Sequence, residues 1–389
     1  MNQTLPARLA WLSLLASLVV AAPSRGQARD SFTLQRIGNP GNAPDPAPLP
    51  DGSSGFGAVP YVYWMSRTEV TVAQYVQFLN AVARSDPNGL FDPFMQNPPC
   101  VGPGFCPEQY AQIQRVGSPG SFVYSVVPGQ IPPTGHSRAD VPVLFIDFFR
   151  AVRFANWLHN GQPTGQQGPG TTESGAYTID GVTVTRNPGA RWAVPTADEW
   201  HKAAYGNVGD TYTLFATDSD VSPTAWLCDL GPSIGNANLF RIDQLWVDQP
   251  TPVGCYPVSS FWGVKDMHGN AWEWTEEDRD GLRVFRGGDM RTLDGSGFGS
   301  GTAVRAAIAE SPFFNGIGGR TLSAGGLGFR VVALCPADID GDGDADVADF
   351  FAFVATFAAG DLSADLDGDG SIAVGDFFAF VSAFAAGCP

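Results

Sequence analysis

Apolar residues recur at helical spacing in two places along the first half of the chain. Val72, Tyr75, Val76, Leu79 and Val82 form one stripe, and Thr71-x-x-Gln74 ahead of it is a capping-box pattern that predicts a helix opening at Thr71. Phe148, Ala151, Val152, Ala155 and Leu158 form a second stripe, with Asp147 as its N-cap. A third helix is predicted from Thr196-x-x-Glu199, just after Pro195. Aromatic and β-branched runs predict strands over Ser31–Ile37 and Pro60–Met65. Residues 160–190 alternate around Asp180-Gly181, a favourable turn pair, and predict a hairpin insertion. Near the C-terminus the pattern changes. Nearly the same apolar helix follows Asp349 and, 27 residues later, Asp376. Phe350, Phe353, Val354 and Phe357 share one face, as do Phe377, Phe380, Val381 and Phe384, and the two stripes are predicted to pack on each other.

Arg8 followed by the apolar run Leu9–Ala22 reads as a secretory signal over residues 1–28, with cleavage after Ala28 or Ala22. The run is short for a membrane span. A secreted, cell-surface or periplasmic protein without membrane insertion is therefore expected. Gly 47 and Pro 31 among 389 residues, with only 16% charged residues, favour a loop-rich α+β domain over a helical bundle. A net charge of −17 argues against nucleic acid or an anionic membrane as partner. The charge is uneven: residues 335–389 hold eleven Asp and no Lys, Arg or Glu. Carboxylates packed so closely repel one another unless a cation sits among them. Export permits disulfides. Cys100 and Cys106 bracket a tight loop, Cys335 and Cys388 bracket the acidic segment, and Cys228 and Cys255 remain, though spacing alone does not fix connectivity.

The acidic segment carries a chemical signature. Asp338, Asp340, Asp342, Gly343 and Asp349 fit the spacing of an EF-hand loop, with Asp at its twelfth position. Asp365, Asp367, Asp369, Gly370 and Asp376 fit it again. Such a loop wraps six to eight hard oxygens around one Ca²⁺, and the Gly permits its sharp turn. The seventh position offers a carbonyl, from Asp344 and Ser371. Asp346 stands at the ninth position of loop one and Ala373 at that of loop two, so the second loop is expected to be the weaker site. Two ions are predicted in this segment. With Cys335-Pro336 directly before loop one, there is no room for an entering helix, and the unit is a loop and a helix, duplicated.

Six blocks of the larger region resemble the formylglycine-generating enzyme (sulfatase-modifying factor) family. They are Glu69–Tyr75, Pro142–Leu158, Trp192–Trp200, the GNAWEW run at 269–274, the RGG at 286–288 and the GFR at 328–330. The resemblance covers about residues 31–334 and implies an irregular α+β fold of C-type-lectin type. It divides the chain into a signal (1–28), a sulfatase-modifying-factor-like domain (29–334) and a tail (335–389) that is similar to a dockerin, with a small α loop-helix calcium fold. The resemblance implies one or two further calcium ions in the main domain. One would be held by Asp266, the carbonyls of Gly269 and Ala271, and Glu273. The other would use Asn238, the Leu239 carbonyl and either Asp243 or Asp248. The competing reading makes Glu273 a buried, hydrogen-bonded carboxylate between Trp272 and Trp274.

The family's oxidases use a copper-bound cysteine pair after the RGG block. Here Thr292 and Gly297 stand where the thiols would be, so copper and formylglycine-generating activity are not expected. A second metal chemistry of the superfamily uses a histidine triad supplied largely by an extra domain. The four histidines His136, His159, His201 and His268 read as surface or capping groups instead, Cys255 as structural, and Arg286, Arg305 and Arg330 as ion-pair residues of the fold. No catalytic set is picked out. Two functions follow: a non-catalytic domain recognising glycan or protein, docked by its tail to a cohesin-like extracellular or envelope partner, or an enzyme of altered oxidative chemistry on the same fold.

Overall fold

The computed structural model describes residues 32–48, 53–98, 108–131, 135–179, 184–224, 228, 237–239, 249–279, 282–290, 308–310, 326–367 and 369–389. The predicted signal, the Cys100/Cys106 loop and the Asp180-Gly181 turn lie outside these residues.

The predicted first helix is α1, Val72–Val82. Thr71 caps it and Gln74 returns the bond to the Thr71 N–H, closing the capping box. Val72, Tyr75, Phe78, Leu79 and Val82 are its buried face. Helix α2 is Phe148–His159, its N-cap Asp147 accepting from the Arg150 N–H at 2.7 Å. Helix α3 is Ala197–Tyr205, with the box Thr196/Glu199 formed. The strands are shorter than the sequence suggests: β1 is Leu34–Ile37 and β2 is Tyr63–Ser66. Their antiparallel register sets Leu34 opposite Ser66 and Ile37 opposite Tyr63. Strands β3 (Ile113–Val116) with β4 (Val123–Val126), and β5 (Gln130–Ile131) with β6 (His136–Ser137), form separate hairpins. The inserted loop after α2 is bridged at Tyr177–Arg186.

The remaining strands are β7 (Trp192–Ala193), β8 (Trp272–Arg279), β9 (Leu282–Arg286), β10 (Ile308–Glu310), β11 (Leu327–Gly328) and β12 (Val332–Ala333). They make two sheets of four, in the orders β1-β2-β12-β7 and β10-β9-β8-β11. The late segment β12 sits between two early strands, so the chain beyond residue 326 closes the fold. An aromatic cluster fills the space between α1, α2 and this segment: Phe154 lies edge-on to Phe329 at 5.2 Å and to Phe78 at 5.2 Å. The mixed, loop-rich α and β architecture agrees with the expected class. No helix among the described residues is long and apolar enough to cross a membrane.

Two helices end the chain, α4 (Val347–Ala359) and α5 (Val374–Ala386). Their Phe stripes meet, and Phe353 stacks on Phe380 with ring centroids 4.1 Å apart and planes 3° from parallel. Both rings are fully buried and belong to the same contiguous core as the main domain. Three backbone-level contacts dock the tail: Val62 N–H to the Gly341 carbonyl at 3.2 Å, Arg36 to the Asp342 carbonyl at 2.8 Å, and Gly189 N–H to the Leu366 carbonyl at 3.3 Å. At Gly343, φ is 101° and a Cβ would lie 2.9 Å from the Val62 side chain, so only glycine lets the loop lie this close. Cys335 pairs with Cys388, and Cys228 with Cys255, so Cys255 is no free thiol.

The histidines correct the sequence reading. His268 is buried beside the Tyr205 hydroxyl at 3.2 Å, and His201 is buried 3.0 Å from Asp45. His136 is buried as well. Only His159 acts at a helix end, its Nδ1 accepting from the Arg191 N–H at 3.1 Å. Single-residue reasoning missed this because aromatic neighbours, which come from distant segments, bury the rings.

Replacing Phe353 by Ala removes half of a stacked pair inside the core and is expected to cost about 3–5 kcal/mol. Phe351, 66% exposed on the same helix, should tolerate Ala within about 0.5 kcal/mol. Urea denaturation compares the two; equal effects would show that the stripes do not carry the tail. Burial, and then the Arg191 charge, lower the His159 pKa to about 4 from 6.5. The unfolded chain therefore takes up a proton that the fold refuses. The contribution of neutral His159 is complete above pH 6.5 and is lost as pH falls towards 4, by up to about 1.4 kcal/mol per pH unit. His159→Asn retains the acceptor and should lose less stability than wild type between pH 7 and pH 5. Parallel stability curves would contradict this.

Candidate functional site

The residues 265–275 make a tight turn leading into β8. Asp266 and Asn270 take left-handed backbone, at φ 59° and 64°. Gly269 has φ 81°, and a Cβ there would run into the Asn238 carbonyl. This glycine is thus required by close approach as well as by conformation. Asn270 ties the turn together. Its Nδ2 donates to Glu69 at 3.1 Å, and its Oδ1 accepts from the Thr251 N–H at 3.0 Å and from Asn238 Nδ2 at 3.0 Å.

Strand alternation then sends Glu273 inward, between Trp272 and Trp274 in sequence. Arg330 grips it with Nε to Oε2 at 2.5 Å and Nη2 to Oε1 at 2.6 Å, and Trp200 Nε1 donates to Oε2 at 2.7 Å. Both side chains of the pair are completely buried. Arg330 also donates to the Ser66 and Lys265 carbonyls, each at 3.0 Å. Glu273 is thus a buried, hydrogen-bonded carboxylate whose oxygens face a guanidinium and an indole. The Gly269 carbonyl likewise accepts from the Ala271 N–H at 2.8 Å.

Glu69 Oε2, Asp266 Oδ1 and Asn238 Oδ1 are buried without a hydrogen-bond partner among the described residues. Burial raises the Glu69 carboxyl well above its usual range, and the Asp266 and Glu273 charges add to it. Burial also pushes Asp266 up to about 6, against the Gly254 N–H and Arg330. Orphaned, buried, hard oxygens fit a hard cation. The fit involves Asp266, Asn238 and Glu69, the last of which sequence reasoning did not assign. Its signal was present: Glu69 opens the first family block and is buried before a helix. Leu239 is buried in the described structure, whereas Asp243 and Asp248 lie outside it.

A second buried network was not legible. Arg186, from the inserted loop, meets Glu199 at 2.8 Å through two nitrogens and Glu276 at 2.8 Å through Nε. Tyr61 donates to Glu199 at 2.8 Å, and Tyr177 to Glu276. Burial alone would raise the Glu199 carboxyl, but the Arg186 charge and hydrogen bonds hold it below its usual range. These carboxylates are neutralised in place, which suits structure rather than proton transfer. Arg286 is similarly paired to Glu277 at 3.1 Å. The described RGG turn ends at Met290; Thr292, Gly297 and Arg305 lie outside the described residues.

In the tail, Asp338, Asp340 and Asp342 have carboxylate oxygens all within 4.8 Å of one another, and so do Asp365, Asp367 and Asp369. The twelfth-position carboxylates are buried and organise the loops. Asp349 accepts from the Ile339 and Asp346 N–H groups at 2.7 and 2.8 Å, and Asp376 from those of Leu366 and Ala373 at 2.9 and 2.8 Å. Asp342 accepts from the Asp344 N–H at 2.9 Å, and Asp369 from that of Ser371 at 2.8 Å. Asp346 accepts from the Ala348 N–H at 2.7 Å and so caps α4, a role Ala373 cannot fill for α5. Burial and the neighbouring Asp349 and Asp342 push Asp338 up to about 6.

The sulfatase-modifying factor enzyme 1-like domain matches residues 59–334. The hercynine oxygenase of Mycolicibacterium smegmatis is 28% identical over 194 residues, 45% of this chain and 34% of that protein. The one from Mycolicibacterium thermoresistibile is 32% identical over 146 residues, 32% of this chain and 29% of that protein. The chain thus spans about a third of the length of these curated relatives. Among solved structures, CarF is 19% identical with a TM-score of 0.44, covering 78% of this chain and 98% of that one. Treponema denticola variable protein 1 is 15% identical with a TM-score of 0.42, covering 78% and 95%. With residues 59–334 matched, well over half its length, the chain belongs to the sulfatase-modifying factor enzyme 1-like domain family.

Proposed function

We propose that this chain is a non-catalytic, exported ligand-recognition protein, closed by a calcium-dependent, dockerin-like tail over residues 335–389. The observation that carries the reading is the repeated convergence of the Asp338/Asp340/Asp342 and Asp365/Asp367/Asp369 carboxylates. A hard divalent cation needs such a set, completed by carbonyls at Asp344 and Ser371 and by Asp349 and Asp376. In the main domain, Asp266, Asn238 and Glu69 would hold a further calcium, relieving their buried oxygens. Thr292 and Gly297 stand where a copper thiol pair would be, and the buried Glu199 and Glu273 are paired with Arg186 and Arg330.

The tail also supports docking to an extracellular or envelope partner of cohesin type. Val347 and Phe351 on α4 are 64% and 66% exposed, and their counterparts Val374 and Phe378 on α5 are 66% and 64% exposed. The two repeats thus turn equivalent apolar residues to solvent, as binding surfaces do. A second reading, an enzyme of altered oxidative chemistry, is favoured by the hercynine oxygenases among the relatives. Formylglycine formed on a cysteine peptide in the presence of copper would select that reading.

Calcium titration of the full chain by calorimetry is the direct test. Asp338→Ala with Asp340→Ala should abolish one tail site, and Asp365→Ala with Asp367→Ala the weaker other. Calcium at a hundredfold excess over Kd should stabilise the fold by about 2.7 kcal/mol per site. Unchanged stoichiometry in both double variants would refute calcium binding by the tail.

A further inference from the structure

Between the end of β2 and the start of α1 lies a cavity of about 290 Å³. Thr33, Arg67, Thr68, Thr71, Gln74 and Gly254 are among its lining residues. Small-molecule sites commonly run from about 300 to 1,000 Å³, so this one suits a single-ring ligand.

Its lining is unusual for this protein. Arg67 is exposed, and its backbone is fixed on both sides, by its N–H to the Thr33 carbonyl at 2.8 Å and by its carbonyl to the Lys265 N–H at 2.7 Å. Its guanidinium meets no carboxylate among the described residues, whereas core arginines such as Arg150, Arg153, Arg186 and Arg330 each do. A second cation stands close by. The Lys265 ammonium is held by the carbonyls of Gly254 and Tyr256 at 3.0 and 2.5 Å. The neighbouring acid, Asp266, is partly buried and accepts from the Gly254 N–H at 2.5 Å. In a chain with 39 acidic and 22 basic residues, an arginine at a cavity with no carboxylate beside it among the described residues marks a place for an external negative charge.

The remaining lining is suited to hydroxyl groups. The Thr33 hydroxyl has no partner among the described residues. The Thr68 hydroxyl makes one long bond, to the Glu69 carbonyl at 3.3 Å, while that of Thr71 serves the capping box, accepting from the Gln74 N–H and donating to Gln74 Oε1, each at 3.2 Å. Each hydroxyl can both donate and accept.

We infer that this cavity binds a small ligand carrying one anionic group beside hydroxyls, the chemistry of an acidic sugar. Arg67 takes the anion, and the threonine hydroxyls take the ring hydroxyls. The inference rests on the ligand-recognition reading and gives that reading a site and a ligand class. It needs neither the tail loops nor a partner protein.

The test uses the full chain in calcium, with D-glucuronate, glucose 6-sulfate and D-glucose as probes, followed by calorimetry or saturation-transfer NMR. Glucuronate should bind at least about tenfold more tightly than glucose, because a hydrogen bond to a charged group is worth more than a neutral one. Glucose 6-sulfate binding more tightly than glucuronate would identify the anion as a sulfate ester. Arg67→Gln should lose that tenfold advantage while keeping the wild-type Tm, since the side chain is exposed. Thr33→Val should weaken glucuronate by roughly a few-fold. Glucuronate binding that ignores Arg67→Gln would overturn the cavity assignment and leave ligand recognition standing. A panel of acidic and neutral glycans that shows no binding at all would overturn both.

Discussion

The buried pair Arg330–Glu273 is the interaction on which the other parts of the fold depend. Its guanidinium joins β8 to the end of β2 and to the Lys265 turn, and its carboxylate accepts from Trp200 of α3. A charge this deep in the core is tolerable only if fully bonded, because its desolvation costs several kcal/mol. Full bonding in turn requires β8, β2 and the segment beyond residue 326 to be placed together. The pair therefore acts as a condition on the fold, and β12 slotting between β2 and β7 is the topological consequence. The same condition fixes the neighbouring turn, where Gly269 must let the chain pass the Asn238 carbonyl.

Local chemistry was readable from the chain wherever a short pattern determines it. Thr71, Asp147 and Thr196 each cap the helix they precede, and the alternating Phe stripes of α4 and α5 meet as their spacing implies. Partners that converge from distant segments were not readable. Arg186 reaches Glu199 and Glu276 from an inserted loop, and His201 finds Asp45 across 156 residues. Glu273 shows the limit clearly: the motif marks a residue that matters, but its partners Arg330 and Trp200 arrive from segments 57 and 73 residues away.

Charge is distributed by function as well as by fold. The core places its arginines against acids, while the tail gathers eleven aspartates without one basic residue. Backbone N–H groups take up part of that density at Asp349 and Asp376. The outer carboxylates of each loop are left facing one another, which is the arrangement a divalent cation stabilises. The tail is also continuous with the main core through Phe353 and Phe380, so ion binding there would be felt by the whole protein.

The structural role of the family signature is tested most directly by a double-mutant cycle on Glu273 and Arg330, run in urea with calcium and again with chelator. Glu273→Gln and Arg330→Met should each cost about 3–5 kcal/mol, since each strands a buried partner. The double variant should cost far less than the sum, with a coupling of up to about 3 kcal/mol that persists in chelator. Additive effects, or a coupling that vanishes with calcium, would mean that Glu273 serves a metal and that the pair does not hold the fold.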